Sequence, residues 1–300
     1  MQNPLSVLWF SGFLKFWLVD MPSKSSARST FTVATANVNG IRAAHRRGGL
    51  DWLATCGADV ICLQEVRATH EQLHATLADS PLATWNVVHD PAPQLGRAGV
   101  AILSKNAPLK SRNAVRHEAL DRSGRWLEAD FETPVGAVTV VSTYVHAGEV
   151  GTARQDDKWL FLDAMNKRLD ALRRSAAKSE GHVLIAGDFN IAHREVDLKN
   201  WRANRENSGF LPREREYLDR WFNSTAWVDL GRAFGGDGPG PYTWWSWRGR
   251  GFDTDGGWRI DYLMASASLA SVATGVTVAK AATYAERWSD HAPVIGTFGG

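Results

Sequence analysis

Three hundred residues, 44% hydrophobic and 22% charged, carry enough apolar matter for a sizeable core, which excludes a disordered polyelectrolyte. A formal charge of +2 neither advertises nor excludes a polyanionic partner. The only cysteines, Cys56 and Cys62, lie inside the apolar stretch WLATCGADVICLQE and read as small core residues, not as a disulfide framework or zinc site, which fits a reducing compartment.

The chain opens on LSVLWFSGFLKFWLV, which is interrupted by Lys15 and shorter than the roughly 20 residues that span a bilayer. It has neither a basic leader nor an A-x-A cleavage site, so it reads as no membrane anchor. Met21 and the following PSKSSARST have the composition of a disordered start. Residues 1–30 are therefore expected to be a disordered or mis-initiated extension, and residues 31–300 a single domain.

From Phe31 onward, short apolar strands alternate with helices. FTVATAN (31–37) is a strand; GGLDWLATCG (48–57) places Leu50, Leu53 and Ala54 at helical spacing; ADVICLQE (58–65) is a buried strand. THEQLHATLADS is a helix, TWNVVHD and AGVAILSK are strands, and RWLEADFE and AVTVVSTYVH form a hairpin across TPVG. A long amphipathic helix covers about 154–175, with Trp159, Leu160, Leu162, Met165, Leu169 and Leu172 on its apolar side. HVLIAGDFN (182–190) is a further buried strand, followed by polar loops, a helix near 213–223 and the loop GGDGPGP. The last strands are RIDYLMAS, VTVAKA and APVIGTF. There is no solenoid repeat. Fourteen tryptophans, three of them within YTWWSW, exceed what a core needs, so some are expected to meet a ligand.

Polar residues fall where the strands end. Strand 31–37 runs into Asn37 and Asn39, strand 58–65 ends in Gln64 and Glu65, strand 136–146 in Tyr144 and His146, and strand 182–190 in Asp188 and Asn190. Asp261 interrupts an apolar strand, and Asp290-His291 opens the last one. Each alone has an ordinary explanation: turn residues, helix caps, edge charges or a hydrogen-bonded structural histidine. Asp261 is the hardest to dismiss, because an unpaired carboxylate is costly inside an apolar run. Six strand ends carrying such groups can converge in one crevice of an α/β sheet. Carboxylates and amide oxygens without cysteine are hard ligands suited to Mg²⁺ or Mn²⁺. With an Asp-His pair for proton transfer and amide and phenol groups for a phosphoryl oxygen, the set points to metal-assisted hydrolysis of a phosphate ester.

NVNGIR, LQE, GDFN, WRIDY and SDHAPV, in this order across residues 31–298, resemble the exonuclease III family of apurinic/apyrimidinic endonucleases, within the endonuclease/exonuclease/phosphatase superfamily. GDFN and SDH mark the superfamily, whereas NGIRA, GVAILSK, SGRWLEADF and YTWWSWRGRGFDTDGGWRIDYLMAS resemble its DNA-repair branch. The resemblance implies a four-layer α/β sandwich, two packed mixed sheets flanked by helices as in deoxyribonuclease I. It implies Glu65 as principal ligand of Mg²⁺ or Mn²⁺, with Asn37 or Asn39 and Asp290, and with Asp188, Asn190 and His291 at the same centre. Asp188 would activate water or protonate the leaving group, Asn190 and His291 would hold the phosphate, Asp261 would orient His291, and Tyr144 would assist. Whether Asp188 or His291 is the general base stays open. Trp244, Trp258 and Ile260 match a pocket for a flipped-out baseless sugar, which costs little to extrude. Arg42, with Arg46 and Arg47, is placed to meet the DNA backbone or, equally, to be an ordinary solvated face.

One departure stands out: the family follows its tyrosine with Pro and an amide, whereas YVHAGE puts His146 and Ala147 there. His146 is the candidate to replace that DNA contact, and the balance of activities is in doubt. The implied enzyme is a cytoplasmic monomer that cuts double-stranded DNA 5′ of abasic sites and trims 3′ ends. The competing expectations are a superfamily phosphatase or sphingomyelinase, and a non-catalytic DNA binder, for which the full polar set would be superfluous. Ser289 is expected only as a turn or supporting residue.

Overall fold

The structure is a computed structural model that describes residues 30–113 and 115–299. Of the expected extension over residues 1–30, residues 1–29 lie outside that range. The first half of the chain forms β1 (Phe31–Asn37), α1 (Ile41–Arg46), α2 (Gly49–Thr55), β2 (Val60–Gln64), α3 (His70–Ala78), β3 (Asn86–Asp90), β4 (Val100–Ser104), β5 (Lys110–Arg112), β6 (Trp126–Thr133) and β7 (Gly136–Tyr144). The second half forms α4 (Ala153–Lys178), β8 (His182–Asp188), α5 (Trp201–Asn204), α6 (Pro212–Phe222), β9 (Trp227–Asp229), α7 (Leu230–Gly235), β10 (Asp261–Ser266), α8 (Ala267–Ala270), β11 (Ala273–Val278) and β12 (Val294–Phe298).

Two mixed six-stranded sheets result, in the orders β11-β12-β1-β2-β4-β3 and β5-β6-β7-β8-β10-β9. The two-residue period of a strand decides what each face meets. In β2, Val60 and Cys62 join Leu127, Ala129, Leu184 and Leu263 between the sheets, whereas Ile61 and Leu63 pack outward on Leu53 of α2 and Leu73 of α3. On the other sheet, Val183 and Ile185 face outward onto Phe161, Leu162, Met165 and Leu169 of α4. The four layers expected from the resemblance are thus helices, sheet, sheet, helices. Because strands carry apolar residues on both faces, they read as nearly continuous hydrophobic runs.

Two expectations need correction. On α4, Leu160 is 38% exposed and Phe161 takes the buried position. Phe161, Leu162, Met165 and Leu169 share the arc that faces the sheet, and the step of about 100° per residue puts Leu160 outside it. The penultimate strand also runs earlier than expected, over Ala273–Val278, and VTVAKA leaves it after Val278.

Register aligns the polar strand ends. Asn37 pairs with Gln64 across the parallel β1–β2 ladder. In the second sheet Tyr144 pairs with Asp188, and Asp188 with Asp261. Gly187 is needed for this approach, since a Cβ there would lie 1.9 Å from the Thr143 carbonyl oxygen.

Candidate active site

At this edge the two sheets exchange side-chain contacts. The Asn37 amide donates to Glu65 Oε1 and to Asp188 Oδ2, both at 2.9 Å, and so joins the sheets. The Asn39 amide donates to Asp290 Oδ1 at 2.8 Å. Asn39, Glu65 and Asn190 have φ of 47°, 49° and 48°. Such left-handed backbone is unusual for glutamate, and strain of this kind clusters at functional sites.

Asp188 is fully buried and accepts from the Asn190 backbone N–H at 2.8 Å and the Asn190 amide at 3.0 Å. The same Asn190 amide also donates to the Val145 carbonyl at 2.9 Å. His291 Nδ1 sits 2.9 Å from Asp261 Oδ2, and His291 Nε2 lies 3.8 Å from Asp188 Oδ2. Asp261 is itself held by two backbone bonds around Thr243, whose Oγ1 accepts from Ile260 N and Asp261 N at 3.1 Å each.

Electrostatics follow from burial and from an excess of carboxylates. Burial pushes Asp188 up to about 8; the neighbouring Asp261 and Glu65 charges add to the rise, while His291 opposes it. Burial disfavours the imidazolium of His291, but Asp261 and Asp188 outweigh it and raise its pKa to about 10. His291 is therefore a cation at neutral pH, and the cluster holds a proton that bulk carboxylates would release. Burial, together with Glu65 and Asp188, keeps the Tyr144 phenol protonated well above its ordinary range.

The donor set fits a divalent cation. Carboxylate oxygens of Asp188 and Asp261 lie within 4.8 Å of each other and of a His291 ring nitrogen, which as the imidazolium has no lone pair for a metal, and Asp261 Oδ1 is buried with no hydrogen-bond partner among the described residues. Glu65 and Asp290 flank this group with oxygen ligands of the hard type that Mg²⁺ and Mn²⁺ prefer. The amide nitrogen of Asn37, rather than its oxygen, points at Glu65 and Asp188, because Asn37 Oδ1 accepts from the Asn39 N–H at 3.0 Å.

An apolar side-chain cluster adjoins the carboxylates. Trp244 and Trp258 meet edge to face at 6.3 Å, beside Ile260, and Trp244 Nε1 donates to Asp290 Oδ2 at 3.1 Å. Phe210, Leu198 and Trp201 pack in the same cluster. They lie in the loop-rich 190–211 stretch, where no periodicity marks them. Arg67, also unforeseen, reaches back onto Glu65 from two residues downstream. Ser289 ties the last strand to the first through its hydroxyl, which donates to the Asn37 carbonyl at 2.6 Å and accepts from His291 N at 3.2 Å.

The remaining expected DNA contacts separate. A cleft of about 540 Å³ opens from Glu65 and Tyr144, lined by Arg67, Arg97, Arg125, Arg154 and His146. His146 is buried, with Nε2 3.1 Å from the Arg154 carbonyl. Burial and the nearby Arg125 lower its pKa to about 3, so it offers no cation to a phosphate. The arginines around it were not singled out from sequence. Arg42 and Arg46 are exposed, and Arg47 stacks 4.8 Å over the Trp247 ring.

Residues 34–291 match the model of the Endonuclease/Exonuclease/phosphatase family. The chain is similar to the exodeoxyribonuclease of Bacillus subtilis, 34% identical over 86% of this chain and 95% of that protein. It is also similar to the DNA repair nuclease APEX1 of Danio rerio, 30% identical over 83% of this chain and 77% of that one. The AP endonuclease LMAP from Leishmania major superposes with a TM-score of 0.78 at 25% identity, covering 90% of this chain and 88% of its own.

Proposed function

The chain belongs to the endonuclease/exonuclease/phosphatase family, and from that premise we propose that it is a divalent-metal-dependent DNA-repair phosphodiesterase, cutting double-stranded DNA 5′ of abasic sites and trimming 3′ ends. The observation that carries the proposal is the buried Asp261–His291 pair facing Asp188 across 3.8 Å, beside a half-buried tryptophan cluster. Glu65 and Asp290, oriented by the Asn37 and Asn39 amides that donate to them, would hold Mg²⁺ or Mn²⁺, and the ion would supply neutralisation of the charge developing on the phosphate. His291, kept charged by Asp261, donates to a non-bridging phosphate oxygen. Asn190 holds the same group, and its own backbone is pinned to Asp188. Asp188 accepts a proton from the attacking water, because its raised proton affinity suits a base near neutral pH. Tyr144, protonated throughout, donates to the phosphate or the departing oxygen.

The Trp244–Trp258–Ile260 cluster receives the extruded baseless sugar, and a base-bearing nucleotide loses more on leaving the stack. The arginines of the adjoining cleft contribute sequence-independent phosphate contacts. With all of these groups on one sheet edge, residues 31–300 work as a single catalytic domain, and nothing in the mechanism calls for a second subunit or a membrane.

The test is an abasic-site duplex incubated with Mg²⁺, with Mn²⁺ and with EDTA, using the wild type and the Glu65→Ala and His291→Ala variants. Incision 5′ of the abasic site with either ion, abolished by EDTA and strongly reduced in both variants, is expected. Incision that survives chelation overturns the metal assignment. An intact duplex alongside hydrolysis of a phospholipid or inositol phosphate overturns the substrate.

A further inference from the structure

We propose that His70, His74 and His89 form a second metal site, separate from the carboxylate cluster and suited to a transition ion such as Zn²⁺. Residues 70–74 read His-Glu-Gln-Leu-His, and they lie on α3, which begins at the Thr69 cap. Histidines four apart stand on one helical face, where two imidazoles can share one ion. The neighbouring strand supplies a third: the His89 ring on β3 meets the His70 ring edge to face at 4.8 Å.

His89 carries the second observation. Both of its ring nitrogens are buried and neither has a hydrogen-bond partner among the described residues. Leaving two such atoms unsatisfied is costly, and native interiors rarely do so without a ligand or water. Burial, then the nearby His70 and His74, depress its pKa to about 4, so His89 is neutral and its lone pair is free for a metal.

As the side chains stand, only the Asp188–Asp261–His291 group among the described residues draws its ligand atoms within 4.8 Å. The histidine site closes by rotation of His70 and His74, both exposed. Rotamer changes of exposed side chains are fast and inexpensive. Three imidazole nitrogens with water in the fourth position are a zinc-type set, whereas Mg²⁺ prefers oxygen. The site lies behind the strand end that carries Glu65: a Cβ on Gly99 would be 3.8 Å from His89 Nε2 and 3.4 Å from the Arg67 backbone nitrogen.

Equilibrium dialysis with Zn²⁺ in excess Mg²⁺ tests the site, comparing the wild type with His74→Ala, whose exposed position spares the fold, and with His89→Gln. The wild type is expected to retain one more equivalent of Zn²⁺ than either variant, with Mg²⁺-dependent cleavage unchanged in both. Co²⁺ is expected to give the visible bands of a tetrahedral nitrogen-ligated ion in the wild type alone. Equal stoichiometry and affinity in all three proteins overturns the site, and so does a Co²⁺ spectrum unaffected by both substitutions.

Discussion

Two clusters of buried charge lie side by side in the second sheet, and they are balanced in opposite ways. Arg259, two residues before Asp261, is fully buried between Asp197 and Asp229, bonding Asp197 at 2.7 and 3.2 Å and Asp229 at 3.0 and 2.7 Å. Arg232 adds a second guanidinium on Asp197, so two carboxylates meet two cations. Burial alone would raise Asp197, but the arginines outweigh it and hold its pKa below the ordinary carboxylate range. Asp188, equally buried, moves the other way, because burial raises it, Asp261 and Glu65 add to the rise, and His291 and the Asn190 N–H offset only part of it. The protein can therefore bury aspartates in a closed network. The imbalance at Asp188 is a local arrangement, of the kind found where charge must be received during a reaction.

The sharpest way to break the comparison is to change each cluster in turn. Asp188→Asn should lower cleavage of an abasic duplex by about 10²–10⁴-fold, the range for a positioned proton acceptor, while the urea midpoint stays close to wild type. Arg259→Met should do the reverse. It strands Asp197 and Asp229 without their shared partner, at a cost of about 3–5 kcal/mol measured by urea unfolding.

These contrasts also show how far the sequence was legible. Glu65, Asp188, Asp261 and His291 stood out because each ends or interrupts an apolar strand, and strand ends on one edge converge. The same signal marks Tyr144 and Asn190. Arg67 and Arg125 carried no such mark, since an arginine outside a strand reads as solvated surface. Thr243 and Ser289 act through hydroxyls that satisfy backbone groups brought together only by tertiary folding. Short elements such as α1, β5, β9 and α7 hold too few residues for a period to show. Where Leu160 and Phe161 lie adjacent, hydrophobicity alone does not say which one faces inward. His146 looked like a replacement contact because its exposure was invisible in the sequence.

A third change sharpens the comparison through pH. Asp261→Asn removes the strongest influence raising His291. A raised imidazole pKa stabilises the fold fully below its unfolded value near 6.5, and that contribution is lost as pH climbs through about 10. The variant should thus be less stable than wild type by on the order of 1–3 kcal/mol near pH 6, with the gap closing toward pH 10. A gap that widens with pH in thermal melts would contradict the sign. The smallest effect is expected at the tryptophan cluster beside Asp290. Trp258→Ala should cost about tenfold in abasic-site cleavage, roughly one aromatic contact to a nucleotide, and less in 3′ trimming of an undamaged end.

The most direct measurement of the imbalance is the number of protons released when Mg²⁺ binds at pH 7, taken from titration calorimetry in buffers of different ionisation enthalpy. A cluster that holds Asp188 near 8 predicts net proton release on binding, diminishing above pH 9 and reduced in Asp188→Asn. Metal binding with no proton release at pH 7 would mean that the carboxylates are already ionised, and would contradict the electrostatic basis of the site.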